Sequence, residues 1–388
     1  MGRHNRWGLA LAIGLIRVAF GFQLQTIASL GPDLTRSYGI DYAMLGTLVG
    51  IYMAAGAFVA LPAGFAARRF GDYPIAVIGM AVMVGGQLLA AFGTVPTILA
   101  GRLLSGLGVV ALTVLQGKII ADRFSGKEFT LVMGAIVGSF PIGLGLAQVI
   151  LPAIAAIWNV PAAFLVGAIS AALPFALFLW CWSPAPVASG RGATWPSRPE
   201  IWLVAIAGLI WTAYNAGYHN YLAFVPSLLA SRGHTPALAG AVLATATWAN
   251  LPAILLGGGL ALRFGGAKVF LAGTMATFIG VVGPAFADWP LLWAALFGTI
   301  GSIHGGLIVE MGTLSAKPQN RAVGMGIFYT TYYAGAAIIP GLCGRVADAM
   351  GDPMGALWCA GLLSLLAIPL FYLHRRLTSH ECQKGERV

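Results

Sequence analysis

The chain has 388 residues, of which 59% are apolar and 9% charged, with a formal net charge of +10. Soluble domains carry about 25% charged residues, so an ordinary water-facing surface is excluded. The positive charge is spread along the whole chain, which excludes a nucleic-acid patch. The four cysteines, Cys181, Cys343, Cys359 and Cys382, form no CxxC pair and suggest neither a disulfide framework nor a metal site.

Apolar runs long enough to cross about 30 Å of hydrocarbon predict twelve spans, at 8–30, 42–67, 74–93, 97–117, 129–151, 161–182, 201–224, 238–262, 269–287, 290–314, 322–343 and 354–373. The first run follows Arg3 and Arg6 and is too long for the apolar core of a signal peptide, so it reads as a span. Turn residues such as Gly93-Thr94-Val95-Pro96 and Asp288-Trp289-Pro290 separate neighbours. With the N-terminus in the cytoplasm, seventeen of the 22 Lys and Arg residues fall in inner segments. Only Arg36, Arg232 and Arg345 fall outside, and Arg17 and Arg102 lie within spans. That bias assigns both termini to the cytoplasm and requires an even number of crossings.

Residues 183–200 are rich in Pro, Gly and Ser and read as a cytoplasmic linker. They divide the chain into a bundle of six spans at 1–182 and another at 201–374, followed by a tail at 375–388. Gly64-Phe65-Ala66-Ala67-Arg68-Arg69-Phe70-Gly71 after the second span and Gly258-Gly259-Leu260-Ala261-Leu262-Arg263-Phe264-Gly265 after the eighth share the pattern G-x-x-A-x-R-F-G. A weaker echo, Gly344 to Gly351, follows the eleventh. The expected fold is an all-α membrane protein of two pseudo-symmetric six-helix bundles, as in transporters built from repeated halves.

At these residues the sequence resembles the major facilitator superfamily, whose inner-loop signature is G-x-L-A-D-R-x-G-R-K/R. Gly64, Ala67, Arg69 and Gly71 match; Arg68 replaces the acid, and Asp72-Tyr73 replaces the basic pair. The resemblance implies a charged latch at Arg68, Arg69 and Asp72, modified here, with Asp72 as the candidate acid. Gly101-Arg102-Leu103-Leu104-Ser105-Gly106-Leu107-Gly108 is similar to the family's R-x-x-q-G-x-g pattern, which makes Arg102 a coupling candidate. Arg17 with Gly31-Pro32, and Gly324 to Gly335 with Pro340-Gly341, look like the cyanate and nitroimidazole permease branch, related to nitrate transporters.

An ionisable group inside a span costs at least roughly 2.5–3.5 kcal/mol and faces protein, water or substrate. Arg17 lies about nine residues into the first span, about 14 Å deep at 1.5 Å per residue. Its guanidinium suits a carboxylate or oxyanion, or is a structural group tied to helix carbonyls. In the seventh span Trp211, Tyr214, Asn215, Tyr218, Tyr221 and Leu222 share a stripe, expected to face the cavity; His219 beside it is either functional or solvated at the outer end. The tenth span carries His304 and Glu310 on different faces. His304 either meets substrate or packs; Glu310 is either a proton site or an ion pair with Lys118. Tyr329, Tyr332 and Tyr333 in the eleventh span, Trp248 and Asn250 in the eighth, and Tyr52 in the second complete the candidates. Asp33 reads as a turn or cap residue, and Asp288, Asp348 and Asp352 as solvated loop residues.

The expected function is alternating-access transport of a small, anionic solute across the inner membrane. Proton coupling, exchange and facilitation stay open, and proton-coupled efflux of lipophilic drugs is the alternative. No HExxH, GxSxG or CxxC motif suggests an enzyme. The expected partners are the small-molecule substrate, the bilayer and, as a candidate, protons, with no cofactor and no nucleic acid; the expected state is a monomer.

Overall fold

A computed structural model of the chain describes residues 3–182, 195–317 and 320–385. Most of the expected linker, residues 183–194, and the final residues 386–388 lie outside the described ones, as does the side chain of Arg68. The described residues are helical throughout, without strands. In chain order the helices are α1 (Arg3–Ser29), α2 (Gly31–Tyr38), α3 (Tyr42–Phe70), α4 (Asp72–Ala90), α5 (Val95–Ala121), α6 (Gly126–Ile157) and α7 (Val160–Cys181) in the N-terminal half. The C-terminal half holds α8 (Arg198–Ser231), α9 (Pro236–Phe264), α10 (Gly266–Val282), α11 (Pro290–Gly298), α12 (Gly305–Leu314), α13 (Arg321–Met350), α14 (Met354–Leu365) and α15 (Ala367–Gly385).

Short polar side chains start these helices by accepting from otherwise unpaired N–H groups. Asp41 accepts from Met44 at 2.7 Å, Asn159 from Ala162 at 2.8 Å, and Thr235 from Leu238 at 3.3 Å. The repeated loop ends each of its helices in the same way. Gly71 and Gly265 have φ of 90° and 89°, and their N–H groups return to Ala67 and Ala261 at 2.9 Å. A side chain is strained at that φ, so both copies of the repeat encode a helix stop followed at once by the next helix.

Eleven described segments are long and apolar enough to cross a membrane; the 30-residue α13 is not among them. The expected tenth and last spans coincide with candidate membrane spans, and the structure adds detail inside them and in the loop after α1. The tenth span covers Pro290–Leu314 as expected, but its helix is interrupted: α11 stops at Gly298, a 3-10 turn follows at Ile300–Ser302, and α12 begins at Gly305. Thr277 Oγ donates to the freed Gly301 carbonyl there at 2.7 Å, which keeps irregular backbone tolerable away from water. The last span is split at Leu366, and its second piece carries helix through most of the expected tail. The loop after α1 contains α2, with Asp33 in its first turn.

The ends of the helices define two faces. On the face that carries the chain termini, polar contacts run within a half: Arg6 with Glu128 at 3.0 Å, Lys118 with Asp72 at 2.6 Å, and Glu200 with the Lys317 N–H at 2.7 Å. On the opposite face the halves join. Helices α3 and α13 make the most extensive contact between halves, followed by α6 with α9 and α1 with α8. Gly46 lies against the Pro340 carbonyl, Gly50 against that of Ala337, and Gly344 against that of Tyr42, with no room for a Cβ. Hydrogen bonds cross from Gln25 to the Leu222 carbonyl at 3.4 Å and from Gln148 to Thr247 at 3.3 Å. One apolar core draws Leu30, Leu34 and Leu48 together with Tyr221, Phe224 and Leu228 from both halves. A second core is built on the N-terminal half with Tyr332, Tyr333 and Ala336 added; a third is confined to the C-terminal half.

The start of α8 is pinned by one carboxylate. Glu200 accepts from Ser197 N–H at 2.7 Å, Ser197 Oγ at 2.8 Å, Lys317 N–H at 2.7 Å and Asn320 at 3.1 Å. Removing an acceptor from buried donors costs about 1–3 kcal/mol. Glu200→Ala is therefore expected to lower the melting temperature of the detergent-purified protein by several degrees, with Glu200→Gln intermediate; an unchanged melting curve would contradict this.

Candidate functional site

Two arginines lie within the helical assembly, Arg102 fully buried and Arg17 partly exposed with a buried Nε, and their surroundings differ. Arg102 of α5 is 0% exposed. Its Nε donates to the Leu48 carbonyl at 3.1 Å, Nη2 to Leu24 at 3.2 Å and Nη1 to the Gln23 carbonyl. Its guanidinium lies 4.2 Å from the Tyr52 ring centre, and Tyr52 donates to Gln23 Oε1 at 3.4 Å. Arg102 thus clamps α5 to α1 and α3, its donors consumed by backbone carbonyls.

Arg17 of α1 sits between the halves with its donors largely unused. Nη1 meets Thr113 Oγ at 3.4 Å, while the buried Nε has no partner among the described residues. The guanidinium is 5.1 Å from the ring centres of both Phe20 and Phe140. The ionisable groups acting on it are Tyr329, Tyr332 and Tyr333 of α13, from the other half, and no described carboxylate pairs with it. Stacking against rings contributes about 0.5–2 kcal/mol, but it fills none of the in-plane N–H positions of the guanidinium fork.

The wall facing Arg17 is aromatic. Tyr332 and Tyr333 are buried with ring centres 5.1 Å apart, and Tyr329, 38% exposed, lies 6.3 Å from Tyr333. Tyr332 Oη is 2.7 Å from His219 Nε2, so His219 is a half-buried partner of this cluster rather than a solvated outer residue. Trp211 continues the wall, 6.3 Å from Tyr332 and 5.2 Å from Tyr214.

The other expected stripe residues divide. Tyr214 is hydrogen-bonded by Asn250 at 3.4 Å and stands edge-on to His304 at 5.0 Å. Tyr218 and Tyr221 stack on Phe297 at 5.8 Å and 4.5 Å, and Asn215 donates back to the Trp211 carbonyl at 2.8 Å. Tyr218, Tyr221 and Leu222 are all members of the apolar core that draws on both halves. His304 is 1% exposed at the start of α12, packed on Phe270 and Gly273, and neither ring nitrogen has a protein partner among the described residues. Trp248 is half exposed, its ring against Gly145.

The terminus-face candidates are placed apart from this wall. Lys118 pairs with Asp72 and not with Glu310; the pair links α4 to α5 inside one half. Glu310 is exposed on α12, and Arg69 is exposed with its guanidinium 5.5 Å from the Phe70 ring. Three acids expected to be solvated are exposed, and each also makes a polar contact. Asp348 accepts from the Tyr42 and Ala43 N–H groups, Asp352 from Met354, and Asp288 meets His234 at 3.0 Å. The partners of Arg102 and Asp348 are backbone atoms, which carry no side-chain signature. The break in the tenth span was foreshadowed by Gly298, Gly301, Gly305 and Gly306.

This arrangement of paired halves agrees with sequence comparison. The profile of the Major Facilitator Superfamily matches residues 11–231 and 203–388. The chain belongs to the major facilitator superfamily. It is 30% identical over 179 residues to the inner membrane transport protein YajR of Escherichia coli, which is 46% of this chain and 38% of that protein. It is 27% identical over 140 residues to the 4-hydroxybenzoate transporter PcaK of Pseudomonas putida, 36% of this chain and 31% of that one. The chain therefore aligns with less than two fifths of either relative. In three dimensions it superposes on a mutant of the nucleoside transporter NupG with a TM-score of 0.75 at 15% identity, covering 95% of this chain and 99% of the other. A bacterial homolog of the human lysosomal transporter Spinster, inward-facing and occupied, gives 0.74 at 16% identity over 97% and 98%.

The two arginines make separable predictions. Arg102→Ala removes the three side-chain hydrogen bonds that tie α5 to α1 and α3, and a loss of several degrees in melting temperature is expected. Arg17→Ala removes a charge that the fold does not satisfy, so its melting temperature is expected to hold or rise. Equal destabilisation by both would contradict the distinction.

Proposed function

We propose that the protein is a multi-pass inner-membrane transporter that carries a small organic anion by alternating access, with Arg17 as the anion-binding group. In this reading α13 is the eleventh span and brings the count to twelve, both termini are cytoplasmic, and two bundles of six spans rock about a shared site. The observation that carries the proposal is the partly exposed Arg17, whose buried Nε is unpartnered among the described residues, whose one side-chain hydrogen bond is long, and whose ionisable neighbours are three tyrosines of the other half. Charge-assisted hydrogen bonds contribute about 1.5–3 kcal/mol each, so a carboxylate completes what the protein leaves unfilled. The rings of Phe20, Phe140, Tyr329 and Tyr333 favour an anion with a flat apolar body, an aromatic carboxylate above all. A relative named for 4-hydroxybenzoate is consistent with that class.

The joined opposite face and the separate contacts on the terminus face support an inward-open state for this structure. The proposed cycle is exchange or facilitation and needs no coupled proton. Glu310 is the residue that tests this point, because it is the acid within the tenth span and lies exposed. Lys118, Asp72, Arg69 and Arg68 are assigned to the inner surface of the N-terminal bundle, and Tyr214, Asn250 and His304 to support of the aromatic wall from behind.

In proteoliposomes, Arg17→Ala is expected to lose about 2–5 kcal/mol of anion binding, more than tenfold in apparent affinity, with Arg17→Lys intermediate. Saturable aromatic-acid exchange at wild-type affinity in Arg17→Ala would remove Arg17 from the site. Glu310→Gln is expected to leave exchange and its pH profile unchanged; a loss of pH dependence in that variant would establish proton coupling instead.

A further inference from the structure

We propose that Asp348 is a latch that holds the two halves together on the face opposite the termini and sets how readily that face opens. An α-helix leaves its first N–H groups without partners inside the helix. At the start of α3 these donors are met from two directions. Asp41, the residue before the helix, takes Met44 N–H at 2.7 Å, and its carbonyl takes Leu45 N–H at 3.0 Å. The remaining two, Tyr42 and Ala43, donate to Asp348 Oδ1 and Oδ2 at 2.9 Å and 2.8 Å. Asp348 belongs to the last turn of α13, some three hundred residues away and in the other half. The start of one half's helix is thus completed by a carboxylate from the other.

Geometry beside it reinforces the pairing. Gly344, one turn before Asp348, lies against the Tyr42 carbonyl with no space for a side chain. Gly351 then ends α13 at φ 66°, its N–H returning to the Asp348 carbonyl at 3.1 Å. These residues fall in the register of the repeated loop: Gly344, Ala347, Asp348 and Gly351 correspond to Gly64, Ala67, Arg68 and Gly71. The first copy has a basic residue where the third has the acid, so this carboxylate stands only on the opposite face. Its charge also complements the positive end of the α3 dipole.

Asp348 remains exposed to solvent, which limits the strength of the contact. A gate needs that limit, because opening must break both hydrogen bonds and return the carboxylate and two N–H groups to water. The Gln25–Leu222 and Gln148–Thr247 contacts are single, longer bonds at 3.4 Å and 3.3 Å. Asp348 is therefore the charged element of the closed face, a positioning residue that need not touch substrate.

The inference rests on the proposed alternation between two states, and the test separates the two. Spin labels are placed in a cysteine-free background on the opposite face, at Arg36→Cys and Arg232→Cys, and in a second protein on the terminus face, at Arg69→Cys and Arg263→Cys. Pulsed electron resonance reads each distance in lipid nanodiscs, with and without benzoate as probe. Asp348→Ala is expected to raise the ratio of long to short distances on the opposite face by about fivefold or more, the scale of a lost helix cap. The terminus-face distance should shorten in concert, and Asp348→Asn should be intermediate. Should Asp348→Ala fail to fold, Tyr42→Pro deletes one donor at a position where proline suits the first helical turn, and Tyr42→Ala is its control. Tyr42→Pro but not Tyr42→Ala is expected to show the shift. Wild-type distance distributions in Asp348→Ala, or identical effects of the two Tyr42 substitutions, would overturn the latch. If wild type itself never samples two distances in any condition, the alternating-access reading fails instead.

Discussion

A guanidinium inside a helical assembly needs acceptors, and this structure supplies them to the fully buried Arg102 while leaving the partly exposed Arg17 with few. Arg102 is surrounded by carbonyls from α1 and α3, so its burial becomes the junction on which the N-terminal half is assembled. Arg17, two turns along α1 from those carbonyls, receives one long hydrogen bond and a set of rings. Keeping an incompletely satisfied cation at that depth lowers stability, and the cost makes sense if the missing acceptors arrive with a ligand. Aromatic faces suit such a site, because they shield the charge without competing for the N–H groups in its plane.

The second constraint is close helix approach. Gly46, Gly50 and Gly344 let α3 and α13 meet backbone to backbone, and this contact also delivers Tyr329, Tyr332 and Tyr333 to the neighbourhood of Arg17. Any movement that parts the halves along α3 and α13 must therefore alter the wall facing the arginine. The broken tenth span, with its turn at Ile300–Ser302, adds a place where the C-terminal half can bend without losing backbone hydrogen bonds along a whole helix.

Much of the frame was legible in the sequence, because a membrane demands long apolar runs and helix starts demand Asp, Asn, Ser or Thr. Asp41, Asn159 and Thr235 are such signals, and Gly71 and Gly265 mark the stops of the repeat. Arg17 stood out as a charge at mid-span. What stayed hidden was partner identity. Lys118 looked toward Glu310 across the halves, but a salt bridge is decided by proximity, and α4 brings Asp72 within 2.6 Å. Asp348 looked like a loop residue because its acceptor role is fulfilled by main-chain N–H groups of a distant helix. The stripe on α8 predicts a cavity face, and that helix is buried along most of its length, so periodicity alone does not divide core from site. The break near His304 escaped because a hydropathy window averages over a short run of glycines.

The central claim is that the site is completed by an anionic acceptor at Arg17. It is tested most directly by calorimetric titration of the purified wild-type protein with an aromatic acid and its isosteric primary amide, under the same buffer and salt. Saturable binding of the carboxylate is expected, with loss of most of that affinity for the amide, which keeps the ring but not the charge. Equal affinity for the two compounds would contradict it.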